Sequence, residues 1–84
     1  MEGEQGTGRE MTFGETAVGL TFNPSNDPAV DTCKRRFATL IDQMNYLRNS
    51  ETCTPGQARH ASTAITMMED AQMRAVKALT WKAN

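Results

Sequence analysis

The sequence is short of most things that would assign it to a functional class. It has one histidine, His60, and two cysteines, Cys33 and Cys53, with no Cys-x-x-Cys pair. A tetrahedral zinc site wants about four nitrogen or sulfur ligands at close spacing, so no metal centre is expected. Cys33 reads as a small core residue and Cys53 as an exposed thiol in a polar turn. No apolar run approaches the roughly 20 residues that cross a bilayer. The opening MEGEQGTGREM has neither the basic start nor the apolar stretch of a signal peptide. An excess of one charge is missing too: 9 Lys and Arg stand against 10 Asp and Glu. That balance argues against a binder of DNA or RNA polymers, which is usually strongly basic. Neither Gly-x-Gly-x-x-Gly after a strand nor a P-loop motif occurs, and Gly3, Gly6 and Gly8 sit in an acidic segment that repels phosphate. Glu69 and Asp70 are helix neighbours pointing about 100° apart, so they cannot face each other as a carboxylate pair. His60 falls on the polar side of its helix. No nucleophile, base and acid can be assembled by spacing, and no enzyme and no cofactor are expected. These absences leave a small soluble, cytosolic domain.

A domain of 84 residues buries only about 60% of its unfolded surface. Without a disulfide framework or a metal, self-association is the natural way to complete its core. Residues 1–12 hold three of the six glycines, together with Glu2, Glu4 and Glu10; they read as a flexible tail. Residues 13–28 read as an extended or turning arm because NPSNDP concentrates turn and cap residues, with a short helix around Gly14–Leu20 as the variant. The first long helix starts at Pro28, capped by Asp27. Val30, Cys33, Phe37, Leu40, Ile41, Met44 and Leu47 form its apolar stripe, and it stops near Asn49. A second helix runs from about residue 54 to 82, with Thr54 as cap, Pro55 at the first position and Gln57 three residues after the cap. At about 1.5 Å per residue it is roughly 40 Å long. Ala58, Ala61, Ile65, Met68, Ala75 and Leu79 form its stripe.

The fold class is therefore all-α. Two long helices form an antiparallel hairpin, preceded by the arm, over residues 13–84. Thr66, Met73, Val76 and Thr80 make a second row on the second helix, and Met67 and Trp81 lie off both rows. One partner helix cannot cover all of these, which points to a homo-oligomer.

The charges are unevenly placed. Residues 1–27 sum to −4 and residues 28–84 to +3, giving the net −1. Lys34, Arg35 and Arg36 cluster early in the first helix, and Lys77 and Lys82 return toward them. Arg59 lies at the other end of the hairpin, near Arg48. In the arm, Phe22-Asn23-Pro24-Ser25 offers an aromatic face on which a nucleobase can stack and an amide that can read a base edge. The nearby cations can hold phosphate oxygens, and the free N–H groups at the start of the first helix favour an anion. Phe22 has a second reading, as an arm aromatic that seals against a neighbouring hairpin. The residues alone point to a module that binds a small anionic ligand.

The run AVGLTFNPSNDPAVDTCKRRFATLID, a turn, then ARHASTAITMMEDAQMRAVKALTW resembles the helical-hairpin family of phage immune-evasion sponges. That family includes an anti-CBASS cyclic-nucleotide sponge and, more distantly, an anti-Thoeris sponge. The most specific part is Ser62-x-Ala64-x-Thr66-x-x-Glu69-x-Ala71-x-Met73 followed by Val76-Lys77-Ala78, and the resemblance covers residues 14–82. It implies interlocked hairpins forming a homo-oligomer, a hexamer in the anti-CBASS sponge. Such proteins bind cyclic di- and trinucleotides without cleaving them, in the cytoplasm of the infected bacterium. It further implies that Phe22 stacks on a base, that Lys34 contacts the dinucleotide and that Arg59 serves a separate trinucleotide pocket. Asn23, Ser25 and Thr66 are polar neighbours by position. Arg74 stands where relatives commonly carry tryptophan, and Phe22 lacks the hydroxyl of the tyrosine it replaces. A sponge for a cyclic ADP-ribose-type messenger, or a helix that docks on a partner protein, are the alternatives.

Overall fold

The computed structural model describes residues 10–82. These form three helices, α1 (Phe13–Ala17), α2 (Pro28–Arg48) and α3 (Pro55–Thr80), with no strand among the described residues. All three start on local chemistry. The Asp27 carboxylate accepts from the Ala29 N–H at 2.9 Å, and Pro28 occupies the first position of α2, where a missing N–H loses nothing. Thr54 and Gln57 form a reciprocal capping box before α3, with Pro55 as its first residue. A second box, Thr12 with Glu15, starts α1.

α1 ends on a left-handed glycine. Gly19 has φ +61°; its N–H donates to Thr16 O at 3.1 Å and the Leu20 N–H donates to Glu15 O at 3.0 Å. This pair of bonds is a Schellman closure, which needs a positive φ at the glycine and delivers the next side chain inward. Leu20 is accordingly buried. It joins Val18, Ala38, Ile41 and Ile65 in one core, flanked by Phe37, Met44 and Met68.

α2 is the central element. α3 packs antiparallel on one side, and near the connected ends of the pair Arg48 Nη1 donates to Ser62 Oγ at 3.1 Å. α1 packs on another side through Gly14. The Gly14 N–H donates to Asp42 Oδ1 at 2.6 Å, and a Cβ at position 14 would lie 2.1 Å from the Ala38 carbonyl oxygen.

That second contact changes which residues of α2 are inside. The spacing predicts Val30, Cys33, Phe37, Leu40, Ile41, Met44 and Leu47. The buried residues are Val30, Lys34, Ala38 and Ile41, with Phe37 and Met44 at the core's edge. Leu40 is 49% exposed, because it falls outside both the α1-facing and the α3-facing sides. On α3, Ala61 and Ile65 are buried as expected, but the next buried residue is Gln72. The expected stripe passed over this position, and its predicted member Leu79 is exposed.

α3 stops at Thr80 rather than at 82, with Trp81 extended beyond it. Cys33 and Cys53 are both half-buried. Most of the expected tail, residues 1–12, lies outside the described residues, though Thr12 serves as the cap of α1. No described helix is long and apolar enough to cross a membrane.

Candidate functional site

Between Gly19 and Asp27 the chain makes two successive turns that its own polar groups hold. The Phe22 N–H donates to Gly19 O at 2.9 Å, and the Asn26 N–H donates to Asn23 O at 2.9 Å. Asn26 takes a left-handed φ of 54°, which asparagine tolerates better than most residues. Asn23 Nδ2 donates to Asp27 O at 3.0 Å, while Asn23 Oδ1 accepts from the Ser25 hydroxyl at 3.0 Å. Pro24 and Ser25 are thus held at the tip, on the path into α2.

Lys34 secures this arm from below. It is only 5% exposed. Its ammonium donates to the carbonyl of Gly19 at 2.9 Å and also to that of Phe22. The Lys34 Nζ lies 5.5 Å from the centre of the Phe22 ring, within reach of a cation–π attraction. The ring itself is 71% exposed. The arm therefore presents a flat aromatic surface outward, with its backbone tied down behind it.

A groove of about 240 Å³ runs along this feature, lined by Phe22, Asn23, Pro24, Ser25, Val30, Lys34, Val76 and Thr80. Four of the six residues singled out from the sequence, Phe22, Asn23, Ser25 and Lys34, meet here. Val76 and Thr80 come from the last turns of α3, where the spacing gives a second row of side chains without marking a site; their four-residue spacing beside the arm was the available signal. Among the described residues lining the groove there is no carboxylate, histidine or thiol. The groove can stack, hydrogen-bond and attract an anion, and it holds no acid–base pair.

Arg59 and Thr66 are not brought to this groove. Arg59 lies in the first turns of α3, about 25 Å along the helix from Val76 at the usual rise. It is exposed, with its guanidinium 3.3 Å from His60 Nε2. Thr66 is exposed in mid-helix and donates to Ser62 O. Any site that includes them is a different one.

The basic cluster expected at Lys34–Arg36 is dispersed, since successive helix positions point about 100° apart. Lys34 turns inward. Arg35 pairs with Asp31 at 2.8 Å on the surface, and Arg36 borders an apolar groove of about 500 Å³ formed with Phe37, Cys33, Ala75, Ala78 and Leu79. The expected anion site at the start of α2 is likewise not free. Asp27 already caps the Ala29 N–H and Asp31 adds a second carboxylate to the first turn. At the opposite end, Arg48 is engaged by Ser62, by Asn45 and by the Phe13 ring at 5.2 Å. No sequence signal marked that junction, because its members come from three separate helices.

Arg74 borders a surface hollow with Asp70, Met73 and Lys77. Near it, Lys77 Nζ stands 5.6 Å from the Trp81 ring centre. The described residues contain no group of three or more His, Cys, Asp or Glu that could hold a metal ion.

A family model described as "Acb2/Tad1, hairpin domain" matches residues 15–80 of this chain. That span takes in the two turns from Gly19 to Asp27, both long helices and every residue of the groove. No curated protein and no solved structure matches the chain.

Proposed function

This chain belongs to the Acb2/Tad1 hairpin family, the anti-CBASS and anti-Thoeris sponges, and from that footing we propose that it sequesters cyclic di- and trinucleotide messengers. The family is one of non-catalytic binding domains. In this reading the chain lowers the free messenger by mass action, in the cytoplasm of an infected bacterium, and returns it unchanged.

The observation that carries the proposal is the outward Phe22 ring above a buried ammonium, at the mouth of a groove of about 240 Å³. A base stacks on the ring, a contact worth about 1–3 kcal/mol. Lys34 has three N–H groups and the arm carbonyls take two, so the third is left for a phosphate oxygen. Ser25 and Thr80 offer hydroxyl oxygens at the rim. Asn23 contributes less base reading than its sequence position suggests, because its amide already shapes the arm.

The groove of one protomer is smaller than the roughly 300–1,000 Å³ common for ligand pockets. A second protomer therefore supplies the opposite wall. The unpaired faces support self-association: Met67, Met73 and Trp81 are each 60% or more exposed, and the apolar groove beside Phe37 is open. A homo-hexamer of hairpins places these faces inside. Arg59 and Thr66, remote from the Phe22 groove, then belong to a separate pocket where several protomers meet, suited to trinucleotides.

Calorimetry with a panel of cyclic di- and trinucleotides, extended to a cyclic ADP-ribose, tests this. Tight binding of at least one di- or trinucleotide is expected, with Phe22→Ala acting on dinucleotides and Arg59→Ala mainly on trinucleotides. Binding confined to the ADP-ribose type moves the ligand class, and no binding at all removes the proposal. Equal effects of both substitutions on both ligands contradict the two-pocket assignment.

A further inference from the structure

We infer that Lys34 acts on a ligand chiefly through Phe22: it is a positioning residue that holds the arm in its stacking-competent shape before any ligand arrives. The inference rests on the stacking role proposed for Phe22 and adds to it how that ring is made ready.

Three observations support it. Lys34 is 5% exposed, an unusual place for an ammonium, since burying one without partners is strongly unfavourable. Its partners are the backbone carbonyls of Gly19 and Phe22, at the two ends of a single turn of the arm. The Phe22 N–H closes that same turn onto Gly19 O, so the ammonium adds two bonds to a turn that has one of its own. Its position 5.5 Å from the centre of the Phe22 ring then sets where the ring lies as well as its backbone.

Outside these contacts the ring has little to hold it. It is 71% exposed, and the core anchors the turn through Leu20 rather than through Phe22. Without the ammonium, the arm from Thr21 to Asn26 would keep its local turn bonds but lose its tie to α2. A base would then have to order the ring as it binds, and side-chain ordering on association lowers affinity.

The test uses the full chain with Lys34→Met, which keeps the aliphatic stem and removes the donors, and Lys34→Arg, which keeps donors. Amide exchange is first measured without ligand. Lys34→Met is expected to speed exchange at Phe22 and Asn26 by about tenfold, as local opening does, while Ile41 and Ile65 in the core stay at the wild-type rate. Lys34→Arg keeps the arm slow. Wild-type exchange at the arm in Lys34→Met overturns the inference. If Lys34→Met also loosens the core, Lys34→Arg decides: arm protection retained supports the inference, and arm protection lost while the core holds overturns it.

Binding is then measured in a double-mutant cycle with Phe22→Ala, using the cyclic dinucleotide that binds the wild type most tightly. Each single change should weaken binding about tenfold, and the pair no more than about threefold beyond the weaker single, because both remove the same ordered ring. Losses that multiply overturn the inference, since Lys34 would then act on the ligand independently. Failure of every cyclic nucleotide to bind the wild type removes the proposed function but leaves the exchange experiment to decide the role of Lys34 in the arm.

Discussion

Phe22 can offer a stacking face because its ring is held out, at 71% exposure, while its carbonyl is tied down to Lys34. Replacing it with alanine should leave the fold intact and weaken a stacked dinucleotide by about 1–3 kcal/mol, read by calorimetry; unchanged affinity would mean the base lies elsewhere. Gly14 is the opposite case, a residue needed for close approach. A Cβ there would sit 2.1 Å from the Ala38 oxygen, so Gly14→Ala should push α1 off α2 and lower stability by about 1–3 kcal/mol, the usual range for forced overpacking. A melting temperature equal to wild type would contradict that packing. Gln72 is 5% exposed, and its amide has no hydrogen-bond partner among the described residues. Such a group costs about 1–3 kcal/mol, so Gln72→Leu should raise the melting temperature by several degrees. A fall would show that the amide has a partner. None of these three behaviours was fully legible in the residues. Phe22 was marked out by its place in the arm. Gly14 and Gln72 take their roles from the Ala38–Asp42 turn of α2 and from the hairpin interface, which no local pattern describes.

At the level of elements, what was legible is what is decided within four residues. Asp27-Pro28 and Thr54-Pro55-x-Gln57 mark the starts of α2 and α3, because a side-chain oxygen and a proline answer the orphan N–H groups of a first turn. Thr54→Ala should therefore cost about 1 kcal/mol of stability, measurable by chemical denaturation, with ligand affinity unchanged because Thr54 is far from the groove. The apolar stripes were legible in part. On α3, Ala61 and Ile65 followed the spacing. On α2, the packing of α1 rotated the buried side toward Lys34 and Ala38 and left Leu40 out. The short α1 has its own Thr12–Glu15 capping box but is the element least able to stand on its own residues. Five residues cannot hold a helix alone, and its place depends on the Asp42 carboxylate 28 positions away. Lys34 shows the same limit. Its charge, beside Arg35 and Arg36, suggested a surface cluster, whereas the neighbouring arm carbonyls make a buried ammonium the better arrangement.

As a whole molecule, the chain carries a net charge of −1, yet the groove beside Phe22 contains a lysine and no carboxylate among the described residues. Charge balance thus says little about a site that is small and local. An assembly of several hairpins would multiply such sites without a broadly basic surface, and it would cover Met67, Met73 and Trp81, which a lone protomer leaves in water. Light scattering should give a mass several times the 9.3 kDa of one chain, and Leu79→Glu or Met73→Glu should lower it; a monomeric wild type would remove the second wall from the proposed pocket. A ligand present at a hundred times its dissociation constant should add about 2.7 kcal/mol of stability. Recovery of the ligand decides whether the chain holds a cyclic nucleotide and does no chemistry on it. The protein is loaded with a cyclic di- or trinucleotide, freed of unbound ligand and denatured by heat, and the released nucleotide is separated by chromatography. The nucleotide should co-purify with the folded protein and return intact and cyclic. Linear or hydrolysed nucleotide in the released fraction, or none carried through the purification, would contradict it.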